Sequence, residues 1–119
     1  MEKSYSDPAK QESRIKLAEF IEKNLLKYKR PRDVKVLCFP GAEREGEEAL
    51  EVREVYDRLG IPRSNVVGLE YDIEKTDRLR RINLGIQIYQ ESDLEFLSRC
   101  EGKFDIISLD YTGYKNEST

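Results

Sequence analysis

Four short apolar runs alternate with segments of helical periodicity, and this alternation constrains the chain more than any other feature. Val34 to Phe39 is the first run, closed by Pro40-Gly41. Asn65 to Asp72, Ile86 to Tyr89 and Phe104 to Leu109 follow, the last delivering Asp110-Tyr111-Thr112-Gly113. Each has the length and β-branched or aromatic content of a strand bounded by turn residues. Between the first two, Ala49, Val52, Val55, Tyr56 and Leu59 keep helical spacing, with Gly60 placed as a C-cap and Pro62 as a stop. Ile73 to Ile82 predicts a second helix with Leu79 and Ile82 inward, and Leu94, Phe96 and Leu97 a third. Strands joined through helices by such short connections form right-handed βαβ units, hence a parallel sheet. No sequence repeat of fixed period accompanies this architecture.

A further helix precedes the first strand. Asp7-Pro8 reads as N-cap and first helical residue. Leu17, Ile21, Leu25 and Tyr28, with Ile15 and Ala18 beside them, predict one apolar stripe over about five turns. The basic cluster Lys27, Lys29, Arg30 and Arg32 falls where positive charge complements a helix dipole; a phosphate-binding patch is the alternative. Residues 1–33 are thus read as a helical segment and 34–119 as the α/β domain.

Composition then removes whole classes of function. Among 119 residues there is no histidine, which excludes Ser-His-Asp or Cys-His catalysis and any histidine-ligated metal. Two cysteines, Cys38 and Cys100, cannot supply a four-thiolate zinc site or a disulfide framework. Both adjoin apolar stretches and read as buried, inert thiols, so no metal site is expected. Charged residues reach 38%, but 24 acids against 21 bases leave a net charge of −3. A general nucleic-acid coat needs a positive excess to displace counterions from phosphates. No apolar run is long enough to cross a bilayer, and a cytoplasmic protein is the expectation.

Open parallel sheets bind ligands beyond the carboxyl ends of their strands, where the strand order reverses. Gly41 permits close backbone approach after the first strand. The turn behind it carries Glu43, Glu45, Glu47 and Glu48, which repel a pyrophosphate and favour a cationic or zwitterionic ligand. Glu70 ends the second strand, where a carboxylate can accept both hydrogen bonds of a ribose diol. Asp93, after the third strand, is placed either to cap a helix or to receive a purine amino group. Asp72 fits a cap of the Ile73 helix.

At these positions the sequence resembles the class I S-adenosylmethionine-dependent methyltransferases, over roughly residues 34–114. Val36 to Gly41 is similar to the family's first cofactor motif, although Phe39-Pro40-Gly41 replaces most of its glycines and its acid. Val66 to Asp72 resembles the second strand with its ribose-binding acid, here Glu70; Ser92-Asp93 matches the position of the acid facing adenine. Phe104 to Gly113 looks like the fourth strand and the motif at the active-site mouth, without the Asn/Asp-Pro-Pro-aromatic tetrad of amino methylation. The resemblance implies a Rossmann-like three-layer α/β/α fold with a mainly parallel four-stranded sheet behind the N-terminal helix. It implies S-adenosylmethionine as cofactor, held by Gly41, Glu70, Asp93 and Asp110. Asp110 would also serve catalysis, orienting the methyl acceptor or taking its proton. The family's sheet has about seven strands, so residues 34–119 would correspond to an incomplete domain, its cofactor-binding half.

Two other classes compete with a methyltransferase of unspecified acceptor. One is a catalytically inactive Rossmann-like module serving interaction or assembly; the other is a flavodoxin-like regulatory domain, for which a fifth strand and its lysine are missing. In the family order the fourth strand pairs beside the first, and its outer edge would be open. Phe104, Ile106, Ile107 and Leu109 on such an edge predict a homodimer or a partner that adds a strand.

Overall fold

The structure is a computed structural model that describes residues 8–41, 48–99 and 103–109. Its strands are β1 (Val36–Cys38), β2 (Val66–Leu69), β3 (Gln87–Tyr89) and β4 (Ile106–Ser108). They form one sheet in the order β3-β2-β1-β4, and every pair is parallel. β2 and β3 extend to one side of β1, while β4 returns to the other, so the order reverses between β1 and β4. This is a Rossmann-like α/β fold, preceded by the expected helix α1 (Pro8–Asn24).

All three residues of β1 are buried, as a central parallel strand covered on both faces requires. Alternation along the strand sends Val36 and Cys38 to one face and Leu37 to the other. On the first face they meet Val66, Ala18 and Ile21 of α1, and Val52, Val55 and Tyr56. Leu79 of α2 (Ile73–Arg81) completes that layer. On the second face Leu37 and Leu69 pack against Phe96 of α3 (Asp93–Leu97), with Phe39, Phe104 and Leu109 around them. Ile107, in register with Leu37 on this face, is 53% exposed. The second layer therefore leaves the β4 side thinly covered among the described residues.

Three helical expectations need correction. Ile15 and Tyr28 are exposed; α1 ends at Asn24, and of the stripe beyond it only Leu25 still packs against the core. Ile82 is exposed as well; α2 stops one residue earlier, and Thr76 rather than Ile82 accompanies Leu79 inward. The segment after the acidic turn contains a π-helical turn, Val52–Tyr56, in which the Asp57 N–H reaches the Val52 carbonyl at 2.9 Å. Gly60 does end this segment with φ 82°. The basic cluster lies beyond the end of α1, and its Lys29 is engaged with Asp105 across 2.8 Å rather than with the helix terminus.

Candidate functional site at the carboxyl edge

Because all four strands run the same way, the segments after β1, β2 and β3 emerge at one edge of the sheet. Pro40 follows β1 and lies across β2. A Cβ on Gly68 would come within 2.7 Å of the Pro40 Cγ, so only glycine at 68 admits the ring. The chain then turns at Gly41, whose φ of 83° is the left-handed conformation that glycine adopts without strain. The Gly41 carbonyl accepts the Ala49 N–H at 2.9 Å, which ties the end of β1 to the start of the next helical segment. Glu43, Glu45 and Glu47 of the acidic turn lie outside the described residues; Glu48 is buried at its end.

After β2, the Glu70 N–H continues the ladder to the Tyr89 carbonyl at 3.0 Å. The Glu70 Oε2 accepts the Asp72 N–H at 3.1 Å, which orients the carboxylate back over its own turn. Asp72 is the N-cap of α2, as expected, accepting the Lys75 N–H at 2.9 Å. Thr76 sits beneath, its hydroxyl donating to the Glu70 and Asp72 carbonyls. Between Glu70 and Asp72, Tyr71 is left largely exposed.

After β3, Ser92 rather than Asp93 caps the helix. Its Oγ accepts the Glu95 N–H, and the Glu95 carboxylate accepts the Ser92 N–H, a reciprocal capping box. The Ser92-Asp93-Leu94-Glu95 spacing carries that signature in the sequence. Asp93 is thereby the first helical residue, half-buried, at the same edge as Gly41 and Glu70. Gln90 joins the β2 and β3 turns by donating to the Tyr71 carbonyl. Glu91 holds Arg99 through two 2.6 Å hydrogen bonds, which keep its carboxyl below the usual range. The guanidinium lies 5.1 Å from the Phe96 ring centre. Asp110, with Tyr111, Thr112 and Gly113, lies outside the described residues.

Sequence reasoning missed a polar cluster under the β1–β4 crossing. Cys38 and Ser108 are register partners on adjacent strands. Tyr56, fully buried in the same core cluster as Cys38, donates its phenol to Glu51 Oε2 at 2.5 Å. Burial, reinforced by the Glu51 charge, pushes both the Cys38 thiol and the Tyr56 phenol well above their ordinary pKa values, so both stay protonated. Cys38 is the inert thiol its apolar neighbours predicted. The i, i+5 spacing of Glu51 and Tyr56 hid this pair, because on an α-helix such residues lie about 140° apart around the axis.

Among the described residues, no three Cys, Asp or Glu side chains gather as ligands for a metal ion, and no helix is long and apolar enough to cross a membrane. What the edge offers is oriented carboxylates, a close-approach glycine and an exposed aromatic ring. No protein-family model, curated protein or solved structure matches this chain.

Proposed function

We propose that the carboxyl edge binds S-adenosylmethionine, and that the chain is a methyltransferase or its cofactor-binding part, with an unspecified acceptor. One observation carries this reading: the parallel order β3-β2-β1-β4 puts the reversal of strand order next to β1, with Gly41 in the left-handed conformation there and Glu70 one strand away. Ligands of open α/β sheets sit at that reversal. In this reading Gly41 lets the backbone approach the methionyl part of the cofactor. Glu70, already oriented by the Asp72 N–H, accepts the ribose hydroxyls. Asp93, the first helical residue after the Ser92 cap, receives the adenine amino group. Asp110 orients the acceptor or takes its proton. The cofactor, when bound, supplies an electrophilic methyl group; the protein supplies orientation and electrostatics.

A second reading, an inactive interaction module, has the exposed Ile107 on edge strand β4 in its favour. Pairing of β4 with a second copy or a partner strand would use that edge. Calorimetric titration with S-adenosylmethionine and S-adenosylhomocysteine, alongside thermal unfolding, separates the two. Saturable binding with a raised unfolding midpoint is expected. If neither ligand shifts the midpoint at millimolar concentration, the cofactor reading falls and the interaction module takes its place.

A further inference from the structure

The basic cluster Lys27, Lys29, Arg30 and Arg32 takes no part in the proposed site, and the helix dipole does not account for it. The last turn of α1 already has its cation, Lys23, and the cluster begins three residues beyond Asn24. A helix dipole fades within that last turn. Lys29 has a structural partner in Asp105. Lys27, Arg30 and Arg32 are exposed and form no ion pair among the described residues.

The backbone that carries these side chains is nonetheless firmly placed. Pro31–Asp33 is a short 3₁₀ turn, closed by the Asp33 N–H on the Arg30 carbonyl and the Val34 N–H on the Pro31 carbonyl. Asn65 donates to the Arg32 carbonyl at 2.8 Å, and Lys29 ties the segment to Asp105. Pro31 lies against Gly60, where an added Cβ would stand 3.7 Å from the proline Cβ. Arg58, exposed and two residues before that glycine, thereby joins the same amino edge of the sheet.

Counter-charge is scarce in these two segments. Asp105 is taken by Lys29 and Asp57 by Arg63. Over the described stretches 27–34 and 57–65, that leaves Asp33 as the one uncommitted acid beside Lys27, Arg30, Arg32 and Arg58. Cations held near one another repel, a cost that a bound polyanion removes. The net charge of −3 conceals this, because Glu70, Asp72, Asp93 and Glu95 collect at the opposite, carboxyl edge. Among the cations Tyr28 is 82% exposed, with the Lys27 Nζ 6.0 Å from its ring centre.

We propose that this amino edge, Lys27 to Arg32 with Arg58, binds single-stranded nucleic acid, the cations taking phosphates and Tyr28 stacking on a base. Guanidinium groups match phosphate oxygens in a planar, two-pronged geometry. Every unpaired base offers a face for a tyrosine ring, which a chain of acidic side chains does not. The surface lies at the other end of the strands from the S-adenosylmethionine site and stands or falls independently of it.

The test is fluorescence anisotropy of a labelled, mixed-sequence single-stranded oligonucleotide, titrated with the full chain over a series of salt concentrations. The parent should bind, with log K falling linearly against log salt. Arg30→Gln combined with Arg32→Gln should weaken binding roughly tenfold or more. The same pair should flatten the salt slope by about 1.4, since each phosphate contact on a single strand contributes about 0.7. Tyr28→Ala should weaken binding roughly tenfold and leave the slope unchanged, as loss of one stacked base would. All three positions are exposed, so the unfolding midpoints should stay close to that of the parent. Absence of binding by the parent at low salt overturns the proposal. So does a double variant with the parent's slope, or a Tyr28→Ala chain that binds as the parent does. Equal affinity for polyglutamate or for phosphatidylserine vesicles would also overturn it, assigning the edge to acidic peptides or to a lipid surface.

Discussion

At the amino end of the sheet, side chains reach across to main-chain atoms and close the gaps between strands. Asn65 donates to the Arg32 and Val34 carbonyls at 2.8 and 3.0 Å, joining the start of β2 to the approach of β1. Asp105 accepts the Lys35 N–H at 2.9 Å and the Lys29 ammonium at 2.8 Å, joining β4 to β1 and to the segment after α1. Arg63 chelates Asp57 and donates to the Leu84 carbonyl. At the carboxyl end the polar side chains turn back on their own turns: Glu70 on Asp72, Asp72 on Lys75, Ser92 on Glu95. The first arrangement holds strands to one another, and the second holds each turn in shape, with Gln90 reaching from the β3 turn to the Tyr71 carbonyl of the β2 turn.

Substitutions at the two ends should therefore separate stability from binding. The largest effect is expected at the carboxyl end, where Glu70→Ala should weaken S-adenosylmethionine binding by roughly 1.5–3 kcal/mol, as for hydrogen bonds to a charged group. Asp72→Ala should cost about 1 kcal/mol of stability as a lost cap and much less affinity. Equal, small affinity losses at both would show the ribose contact to be misassigned; calorimetry with denaturant unfolding measures both quantities.

Asn65→Ala should invert that pattern. Losing two bonds to main-chain carbonyls should lower the unfolding free energy by roughly 1–2 kcal/mol and leave the affinity unchanged. A comparable loss of affinity would mean that the two ends are coupled through β2 and would undo the separation.

The smallest effect concerns acid. Burial raises the Asp105 carboxyl, but Lys29 and the Lys35 N–H outweigh it and hold the group below its ordinary pKa of 3.8. Its contribution is therefore complete above that value and is lost as pH falls through the lower, folded-state pKa. Near neutral pH, Asp105→Asn should cost about 0.5 kcal/mol, the worth of a half-exposed ion pair. The difference from the parent should shrink on acidification below about pH 4. A gap that widens in acid would contradict the assignment.

Much of this architecture was legible because its signals are local. The strand runs, Gly60 at a helix end and Asp72 as a cap each depend on a few neighbouring residues, and each stands in the structure, while the Asp7 cap of the first helix lies outside the described residues. Ser92 was equally readable from its box with Glu95, but the more conspicuous acid beside it drew the assignment. Tyr28 and Ile82 were misplaced because periodicity cannot tell where a helix stops, and both lie beyond an end. The latches at Asp105 and Asn65 and the Tyr56–Glu51 pair were hidden more deeply. They depend on tertiary approach, or on a π turn that no residue spacing announces. Of the proposed site, Gly41, Glu70 and Asp93 were legible as a set because a parallel sheet gathers successive strand ends at one edge; Asp110 lies outside the described residues.

The pairing of β1 with β4 also has a consequence in time. β1 is the central strand, yet its partner on one side comes from far along the chain, as the 70-residue separation of Lys35 and Asp105 measures. During synthesis β2 and β3 can join β1 while one of its edges still waits, with N–H and C=O groups unpaired. Contacts of such sequence separation form late and slowly, since the loop must close before they gain anything. A nascent chain paused before Ile106 would present Val36, Leu37 and Cys38 as a sticky half-sheet. For that interval, the strand that ends up best hidden is the one most in need of a chaperone.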